Sequence, residues 1–383
     1  MKKVLNFLSY VLVAALASAL TLVWMGPEAE QSKLTELADL IEQCFIGESD
    51  RTAMEDAAAA AMVDSLGDRW SYYIPAAEYD DHVEQVNNSY VGIGVTIQPL
   101  EDGTGFVILK VNEGGPAEEA GLLAGDEIIG AEGISAEGKT TSEFSSIVKG
   151  EENTEVILTV RREGETFDLP VMRKIVQTTV ASGTMLEGNI GLVTIYNFDA
   201  RCAEETLAAI EALLEQGAES LLFDVRNNPG GYKDELVKIL DYLLPEGDLF
   251  RSELYTGATD VDKSDADCLD LPMAVLVNAD SYSAAEFFAA ALREYDKAVV
   301  IGEQTCGKGY FQTTIKLSDG SAVGLSVGKY TTPKGVSLAE VGGVTPDIAV
   351  DVDDMTYMAI YAGTLAPEED PQIQAAVAEL KNP

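Results

Sequence analysis

Two residues able to take part in nucleophilic catalysis lie in one stretch of the 383-residue chain, residues 271–312. Ser283 follows a short apolar run, residues 273–278, and precedes an alanine-rich run typical of a helix. A serine at such a strand-to-helix turn is exposed at the end of a sheet, beside the N–H groups of the first helical turn. Lys308 follows in a loop between two glycines. A serine nucleophile with a lysine base is therefore available.

The alternative to a lysine base is histidine, and the chain has one, His82, far upstream of this stretch. A Ser-His-Asp triad is excluded unless His82 folds back onto Ser283. Lysine can serve as general base if burial lowers its pKa from about 10.4 to about 7–8. In the simpler interpretation, Ser283 caps the helix and Lys308 is a loop charge. The residue types alone leave both interpretations open.

The stretch resembles the carboxyl-terminal processing peptidases, also called tail-specific proteases. Residues 277–286 read VNADSYSAAE and residues 302–312 read GEQTCGKGYFQ, similar to the family patterns V-N-x-x-S-A-S-A-S-E and G-E-x-T-x-G-K-G-x-x-Q. The resemblance implies that Ser283 is the nucleophile, that Lys308 is the general base and that Gln312 orients the lysine.

The stretch departs from the family pattern at several positions, and none of these departures removes a reacting group. Tyr282 and Ala285 stand where small residues and a third serine are common, and Cys306 stands where an aromatic residue is common. If the loop is extended, the Cys306 thiol lies beside Lys308 and is reactive. Otherwise Cys306 packs as a small apolar residue.

Composition limits the classes of partner. The chain has 25 basic and 65 acidic residues, a net charge of −40, which argues against binding to nucleic acid or anionic lipid. This charge favours cationic or neutral substrates, although a soluble, self-repelling surface explains it equally. The four cysteines are too irregularly spaced for a zinc site and too few for a disulfide scaffold. No metal or cofactor is implied.

Residues 1–26 have the pattern of a signal anchor. Two lysines precede residues 4–25, an uncharged and mostly apolar run long enough for one transmembrane helix. The lysines favour a cytoplasmic N-terminus. Ala17-Ser18-Ala19 is a candidate cleavage site, but the apolar run continues beyond it, which favours an uncleaved anchor. We therefore expect a single-pass protein of the cell membrane, with the catalytic part extracytoplasmic and residues 27–85 forming a helical region.

Residues 86–176 resemble a PDZ domain, because residues 115–128 contain the signature G-P-A-x-x-A-G-L-x-x-G-D-x-I in full. Such a domain binds a peptide along a sheet edge and captures its terminal carboxylate with the N–H groups of a glycine-containing loop. The resemblance assigns that loop, and hence substrate binding, to Val91, Gly92, Ile93 and Gly94. The alternative is that these glycines serve only a tight turn.

Residues 177–383 alternate strand and helix, which predicts an α/β layer. The motif DVRNNPGG at residues 224–231 ends a predicted strand, and its glycines let backbone N–H groups approach a ligand. The motif resembles the family's D-L-R-N-N-P-G-G except at Val225, and this resemblance makes Gly230 or Gly231 a candidate oxyanion-hole donor beside the Ala284 N–H. Without the resemblance, the segment reads as an ordinary loop. Residues 251–270 are predicted to form a loop, residues 313–317 and 322–327 a hairpin, and residues 372–380 a helix that is a candidate homodimer contact.

The predicted fold class is an α/β protease core with crotonase- or ClpP-like ββα layers, an inserted mostly-β PDZ domain and an N-terminal transmembrane helix. The predicted function is a serine endopeptidase that cleaves protein or peptide substrates with exposed C-terminal tails. The rival is a non-catalytic, membrane-anchored PDZ scaffold or a ligand carrier on the same fold. Joint presence of Ser283, Lys308 and Gln312 favours the enzyme.

Overall fold

The computed structural model describes residues 32–381. The chain divides into two compact units, with the boundary between Tyr73 and Ile74. Within residues 32–381, no helix is both long enough and apolar enough to cross a bilayer. The signal anchor predicted for residues 1–26 lies outside the described residues.

The described part of the first unit contains helices α1 (Lys33–Cys44) and α2 (Arg51–Asp64), and strand β1 (Tyr72–Ile74) lies at its end. Asp50 begins α2 because its side chain accepts a hydrogen bond from the Ala53 N–H. The Arg51 guanidinium joins the two helices through an ion pair with Asp39 at 2.7 Å. The described part of the region predicted to be helical, residues 27–85, thus contains two capped helices, a short strand and most of helix α3 (Tyr79–Val86).

The next part of the chain has the architecture of a small β domain. Its central sheet has the strand order β3-β4-β5-β7-β8, with β6 beside β5, and β2 pairs separately with β9. Phe106 and Phe144 stack in its core with ring centroids 5.0 Å apart. The elements are α3 (Tyr79–Val86), β2 (Ser89–Gly92), β3 (Val95–Pro99), β4 (Phe106–Val111), α4 (Pro116–Glu119), β5 (Glu127–Ala131), β6 (Ile134–Ser135), α5 (Thr141–Val148), β7 (Glu155–Arg162), β8 (Glu165–Met172) and β9 (Lys174–Gln177).

The C-terminal part is an α/β layer, as the alternation of strands and helices predicts. Its main sheet has the order β10-β11-β12-β15-β16-β19, in which β10 is antiparallel and the other strands are parallel. The elements are β10 (Ala181–Leu186), β11 (Ile190–Ile195), α6 (Cys202–Glu215), β12 (Ser220–Asp224), α7 (Lys233–Leu243), β13 (Gly247–Leu254), β14 (Thr259–Ser264), β15 (Met273–Val277), α8 (Ala284–Glu294), β16 (Ala298–Gly302), β17 (Tyr310–Lys316), β18 (Ala322–Thr331), α9 (Leu338–Val341), β19 (Ile348–Ala349), α10 (Asp354–Tyr361) and α11 (Pro371–Leu380).

Helices cover both faces of this sheet. Successive residues of a strand point to opposite faces, so each strand contributes apolar side chains to both helical layers. Phe223 of β12 packs edge-on against Phe288 of α8, with ring centroids 5.2 Å apart. Its neighbour Leu222 joins the opposite core with Ile373 of α11. Because β12, β15 and β16 are parallel, their carboxyl ends lie at one edge of the sheet. Ligands of α/β proteins bind at this edge.

A second antiparallel sheet corrects one prediction. Strand β13 pairs with β14 and β18, and β18 pairs with β17. The segment 251–270, predicted as a loop, thus contains most of a β-hairpin. Its outer strand is polar and has little apolar alternation, and Asp262 in it forms an ion pair with Lys233 of α7 at 2.9 Å. The hairpin predicted around residues 318–320 is confirmed as β17 and β18.

Candidate active site

Ser283 occupies the turn between β15 and α8, where its backbone has φ 59° and ψ −120°. A positive φ is unfavourable for a residue with a Cβ atom, so surrounding contacts must hold the turn. The Tyr282 N–H donates to the Asn228 carbonyl over 3.1 Å, and the Ser283 N–H donates to the Glu286 carboxylate over 3.1 Å. The turn places Ser283 at the carboxyl edge of the parallel sheet.

Glu286 connects this turn to the lysine loop. Its side chain is fully buried, and one carboxylate oxygen, Oε2, accepts hydrogen bonds from the Ser283 N–H and, over 2.9 Å, from the Lys308 N–H. The other oxygen, Oε1, accepts from the Thr305 hydroxyl and the Gly307 N–H, both over 2.5 Å. One carboxylate therefore fixes the backbones that carry the two candidate reacting residues.

Lys308 is half-buried, and its ammonium nitrogen lies 5.9 Å from the centroid of the Tyr282 ring, within the range of a cation–π contact. The preceding Gly307 has φ 82°, and a Cβ atom there would lie 3.0 Å from the Gly342 backbone. Glycine is thus required on this side of the lysine. The glycines seen in the sequence give the loop its path over the site.

Tyr330 forms hydrogen bonds with both Ser283 and Lys308. It is buried, and its hydroxyl donates to the Lys308 carbonyl over 2.6 Å. Burial raises the pKa of Tyr330 far above its ordinary value, the Glu286 charge adds to this, and a hydrogen bond with the Ser283 side chain opposes it. The phenol therefore stays protonated and remains a donor. Sequence reasoning did not single out Tyr330 or Glu286; the only local signal was the Ser-x-x-Glu spacing of a capping box.

The two glycines proposed for the oxyanion hole differ in their N–H partners. The Gly230 N–H donates to the Asn228 side chain over 2.8 Å, whereas neither the Gly231 N–H nor the Ala284 N–H donates a hydrogen bond within residues 32–381. Gly230 instead permits close approach, because a Cβ atom on it would lie 2.8 Å from the Ser283 Cβ. Gly231 and Ala284 are therefore the better pair of donors.

Gln312 and Cys306 lie on either side of Lys308 in the chain. The Gln312 amide donates to the Ser326 hydroxyl over 2.9 Å and to the Tyr310 carbonyl over 3.3 Å, so the β17–β18 hairpin holds it. Cys306 is half-buried. Burial raises the pKa of Tyr282, and a negative charge on the Cys306 sulfur raises it further. The thiol thus lies near the ring that faces Lys308. His82 lies in α3, outside these loops.

The predicted peptide-binding loop lines a cavity of about 620 Å³ that reaches the α/β layer. Gly92, Ile93 and Gly94 line it, and the Ile93 and Gly94 N–H groups donate no hydrogen bond within the described part of the chain. Val91 does not line the cavity, and its N–H already donates to Glu84 over 3.0 Å. Two N–H donors are thus available to a carboxylate, and Val91 is not one of them.

Asp199 lines the other end of the same cavity, with Tyr196 and Pro229. Burial raises its pKa to about 7. Sequence reasoning missed Asp199, because an aspartate just after a strand is usually a turn residue. Among residues 32–381, no cluster of three or more potential metal ligands occurs.

Comparison with known proteins finds family matches in two parts of the chain. Residues 189–350 match the model of peptidase family S41, and residues 107–162 match a PDZ domain. The carboxy-terminal processing protease CtpA of Bacillus subtilis (strain 168) is 30% identical in an alignment 370 residues long, which covers 92% of this chain and 79% of that protein.

One solved structure gives the same fold over most of the chain. A structure described as an S41 protease from Bacteroides fragilis NCTC 9343 has the same fold, with a TM-score of 0.53 at 18% identity, and covers 90% of this chain and 97% of its own. A photosystem II D1 C-terminal processing protease is 27% identical, with a TM-score of 0.48 over 83% of this chain and 92% of its own. The chain belongs to the carboxy-terminal processing proteases of peptidase family S41 and is a serine-type endopeptidase with a PDZ domain.

Proposed function

We propose that this protease cleaves its substrates with a Ser283–Lys308 dyad after its PDZ domain has captured their C-terminal tails. The observation that carries the proposal is the shared Glu286 carboxylate, which accepts hydrogen bonds from the N–H groups of both residues. A helix cap that happened to lie near a loop charge would not require one buried carboxylate to fix both segments. Preorganised positioning of nucleophile and base is what acyl transfer needs.

The reaction has two stages. The Ser283 hydroxyl attacks the scissile carbonyl while neutral Lys308 takes its proton, and the C–N bond then breaks as the lysine returns this proton to the leaving amine. A water molecule next attacks the ester, with Lys308 again taking and returning a proton, which frees the carboxyl product and Ser283. The Gly231 and Ala284 N–H groups are proposed to stabilise the oxyanion in both stages.

Tail capture is proposed for the cavity lined by the Gly92–Gly94 loop. The Ile93 and Gly94 N–H groups, which have no acceptor within residues 32–381, supply donors for a terminal carboxylate. The adjacent β3 edge supplies backbone partners for an extended chain. Because the cavity continues to Pro229 and Asp199, a bound tail can extend towards Ser283. Gln312 is proposed to orient Lys308 through its place in the hairpin.

A membrane location is proposed from the sequence of residues 1–26, whose basic start and apolar run fit a single-pass anchor with the protease outside the cytoplasm. Protease treatment of intact cells and of lysed cells tests this location. Digestion of the catalytic part only after lysis would contradict it.

The proposed chemistry is tested with the purified full chain and its Ser283→Ala variant. A candidate peptide with a free C-terminal carboxylate is compared with the same peptide carrying a C-terminal amide, and products are identified by mass spectrometry. We expect cleavage by the native chain alone and a lower kcat/KM for the amide. Equal cleavage of both peptides would overturn tail capture, and cleavage by Ser283→Ala would overturn the dyad.

A further inference from the structure

Asp199 lies beside the proposed oxyanion hole. The Phe198 N–H donates to the Gly230 carbonyl over 2.7 Å, and the Tyr232 N–H donates to the Phe198 carbonyl over 2.8 Å. This bridge presses residues 198–199 against the glycine pair so closely that a Cβ atom on Gly231 would lie 2.5 Å from the Asp199 nitrogen. Asp199 therefore sits at the end of the cavity nearest the proposed reacting groups.

The carboxylate of Asp199 takes part in no hydrogen bond or ion pair within residues 32–381, although its backbone N–H donates to Asn197 over 3.0 Å. The neighbouring acidic side chains, in contrast, have hydrogen-bond or ion-pair partners. Glu205 pairs with Arg201 at 3.0 Å and accepts from the Val180 N–H, and Glu235 accepts from the Ala203 N–H over 2.8 Å. A partly buried carboxylate without a partner is costly, and a cationic ligand would relieve that cost.

The charge of the cavity points in the same direction. Among residues 32–381, its acidic lining residues are Asp81, Glu84 and Asp199. The one basic lining residue in this range, Lys149, is already paired with Glu84 at 2.7 Å and lies 4.0 Å from Asp81. Three carboxylates against one ammonium leave the cavity with excess negative charge, and Asp199 is the lining acid that has no lysine beside it. A ligand with a carboxylate at the loop of Gly92–Gly94 and a cation towards Ser283 matches both ends.

We propose that Asp199 forms a subsite that binds the cationic side chain of a lysine or arginine in the substrate, close to the scissile bond. The inference rests on the proposed function and adds a substrate class to it: chains with a free C-terminal carboxylate and a basic residue upstream. Asp199 selects such chains, and Ser283 and Lys308 cleave them.

The test uses peptides that differ at one position, with lysine, norleucine or glutamate placed in turn on each side of the cleavage site. At pH 8 we expect one position at which lysine is preferred over norleucine by about tenfold in kcat/KM. Asp199→Asn should reduce this ratio to near one, and Asp199→Lys should favour glutamate instead. Asp354→Asn, the same change at an exposed site in α10, should leave the ratio intact. An unchanged ratio in Asp199→Asn overturns the subsite.

A second measurement needs no Asp199 variant. The preference for lysine should fall as pH is lowered through about 7, because protonation removes the Asp199 charge. The other titratable and charged groups around Asp199 are Tyr282, Cys202, Arg201, Glu205 and Glu235, and across the cavity Asp81, Glu84 and Lys149.

If the native chain cleaves none of the peptides, the proposed function fails. Binding of the same peptides to the Ser283→Ala chain, by fluorescence anisotropy, then decides the subsite: a lysine preference that Asp199→Asn removes supports it, and its absence overturns it.

Discussion

Two acidic residues at the carboxyl edge of the main sheet have opposite surroundings. Glu286 is fully buried, and four donors, from Ser283, Thr305, Gly307 and Lys308, saturate its carboxylate. Asp199 is only partly buried, and its carboxylate has no partner within the described residues. A saturated buried carboxylate fixes the fold around it, whereas an unsatisfied one is available to a ligand. The first positions the proposed dyad, and the second is proposed to bind the substrate.

The largest effect should come from the groups that Glu286 positions. Ser283→Ala and Lys308→Ala should each reduce kcat by at least about a thousandfold, and the double variant should lose little more, because nucleophile and base act as one unit. Steady-state kinetics on one peptide measures this. Lys334→Ala removes an exposed loop lysine that also precedes a glycine and should leave kcat unchanged. A Lys308→Ala variant that retains most of the native kcat would contradict the proposed dyad.

The next largest effect tests Glu286 itself. Glu286→Gln keeps the shape but puts an NH₂ group opposite backbone N–H donors, so it should lower kcat by about a hundredfold and destabilise the fold by about 3 kcal/mol. KM should change little. The matched control is Glu294→Gln in the same helix, since Glu294 accepts from the Thr332 hydroxyl over 2.6 Å and the Lys334 N–H over 2.7 Å.

Glu294→Gln should lose stability and keep its kcat. Thermal unfolding and kcat are measured for both variants at the same temperature. If the two variants lose activity in proportion to lost stability, Glu286 is only a structural residue and the contrast with Asp199 disappears.

A smaller effect tests the unsatisfied carboxylate through stability. Burial raises the pKa of Asp199 to about 7, so the folded chain binds its proton more tightly than the unfolded chain does. This residue's contribution to stability therefore falls as pH rises from about 4 to 7. Asp199→Asn should raise the free energy of unfolding by about 2 kcal/mol at pH 8 and have little effect at pH 4. Urea unfolding at both pH values, with Asp354→Asn as control, checks the difference.

Sequence reasoning could place Ser283 and Lys308 because each lies in a local pattern, a strand-to-helix turn and a glycine-flanked loop. It could also locate the PDZ signature and the alternating strands. It could not find the role of Glu286, because three of its four donors lie in or beside the lysine loop and meet it only after folding. The local capping-box spacing explains one donor only.

The same limit explains the other differences. Gly230 and Gly231 are adjacent and equivalent in sequence, and they differ only in the folded chain, where the Gly230 N–H donates to Asn228. Strand β14 was missed because its stability depends on pairing with β13 and on the Asp262–Lys233 ion pair rather than on apolar alternation. Asp199 was missed because an absence of partners is a property of the folded chain.

The smallest effect concerns Cys306, two residues before Lys308. Its N–H donates to the Ser281 carbonyl over 3.3 Å, and its charge contributes to the raised pKa values of Tyr282 and Tyr330, which places the thiol among the rings that contact Ser283 and Lys308. A bulky thiol reagent should therefore reduce activity by obstructing the site. Because the thiol is half-buried, modification should be slow and inhibition incomplete.

Other cysteines supply the controls for this last experiment. Cys44 is exposed and should react without loss of activity, whereas Cys202 is buried, which raises its pKa to about 12 and keeps it unreactive. Cys306→Ala should be active, because the thiol is not proposed to act in the chemistry, and it should resist the reagent. Peptide mapping identifies the modified thiol. If Cys306 is modified and full activity remains, the thiol points away from the reacting groups. If it is never modified, it packs as a small apolar residue and has no part in the difference between the sites of Glu286 and Asp199.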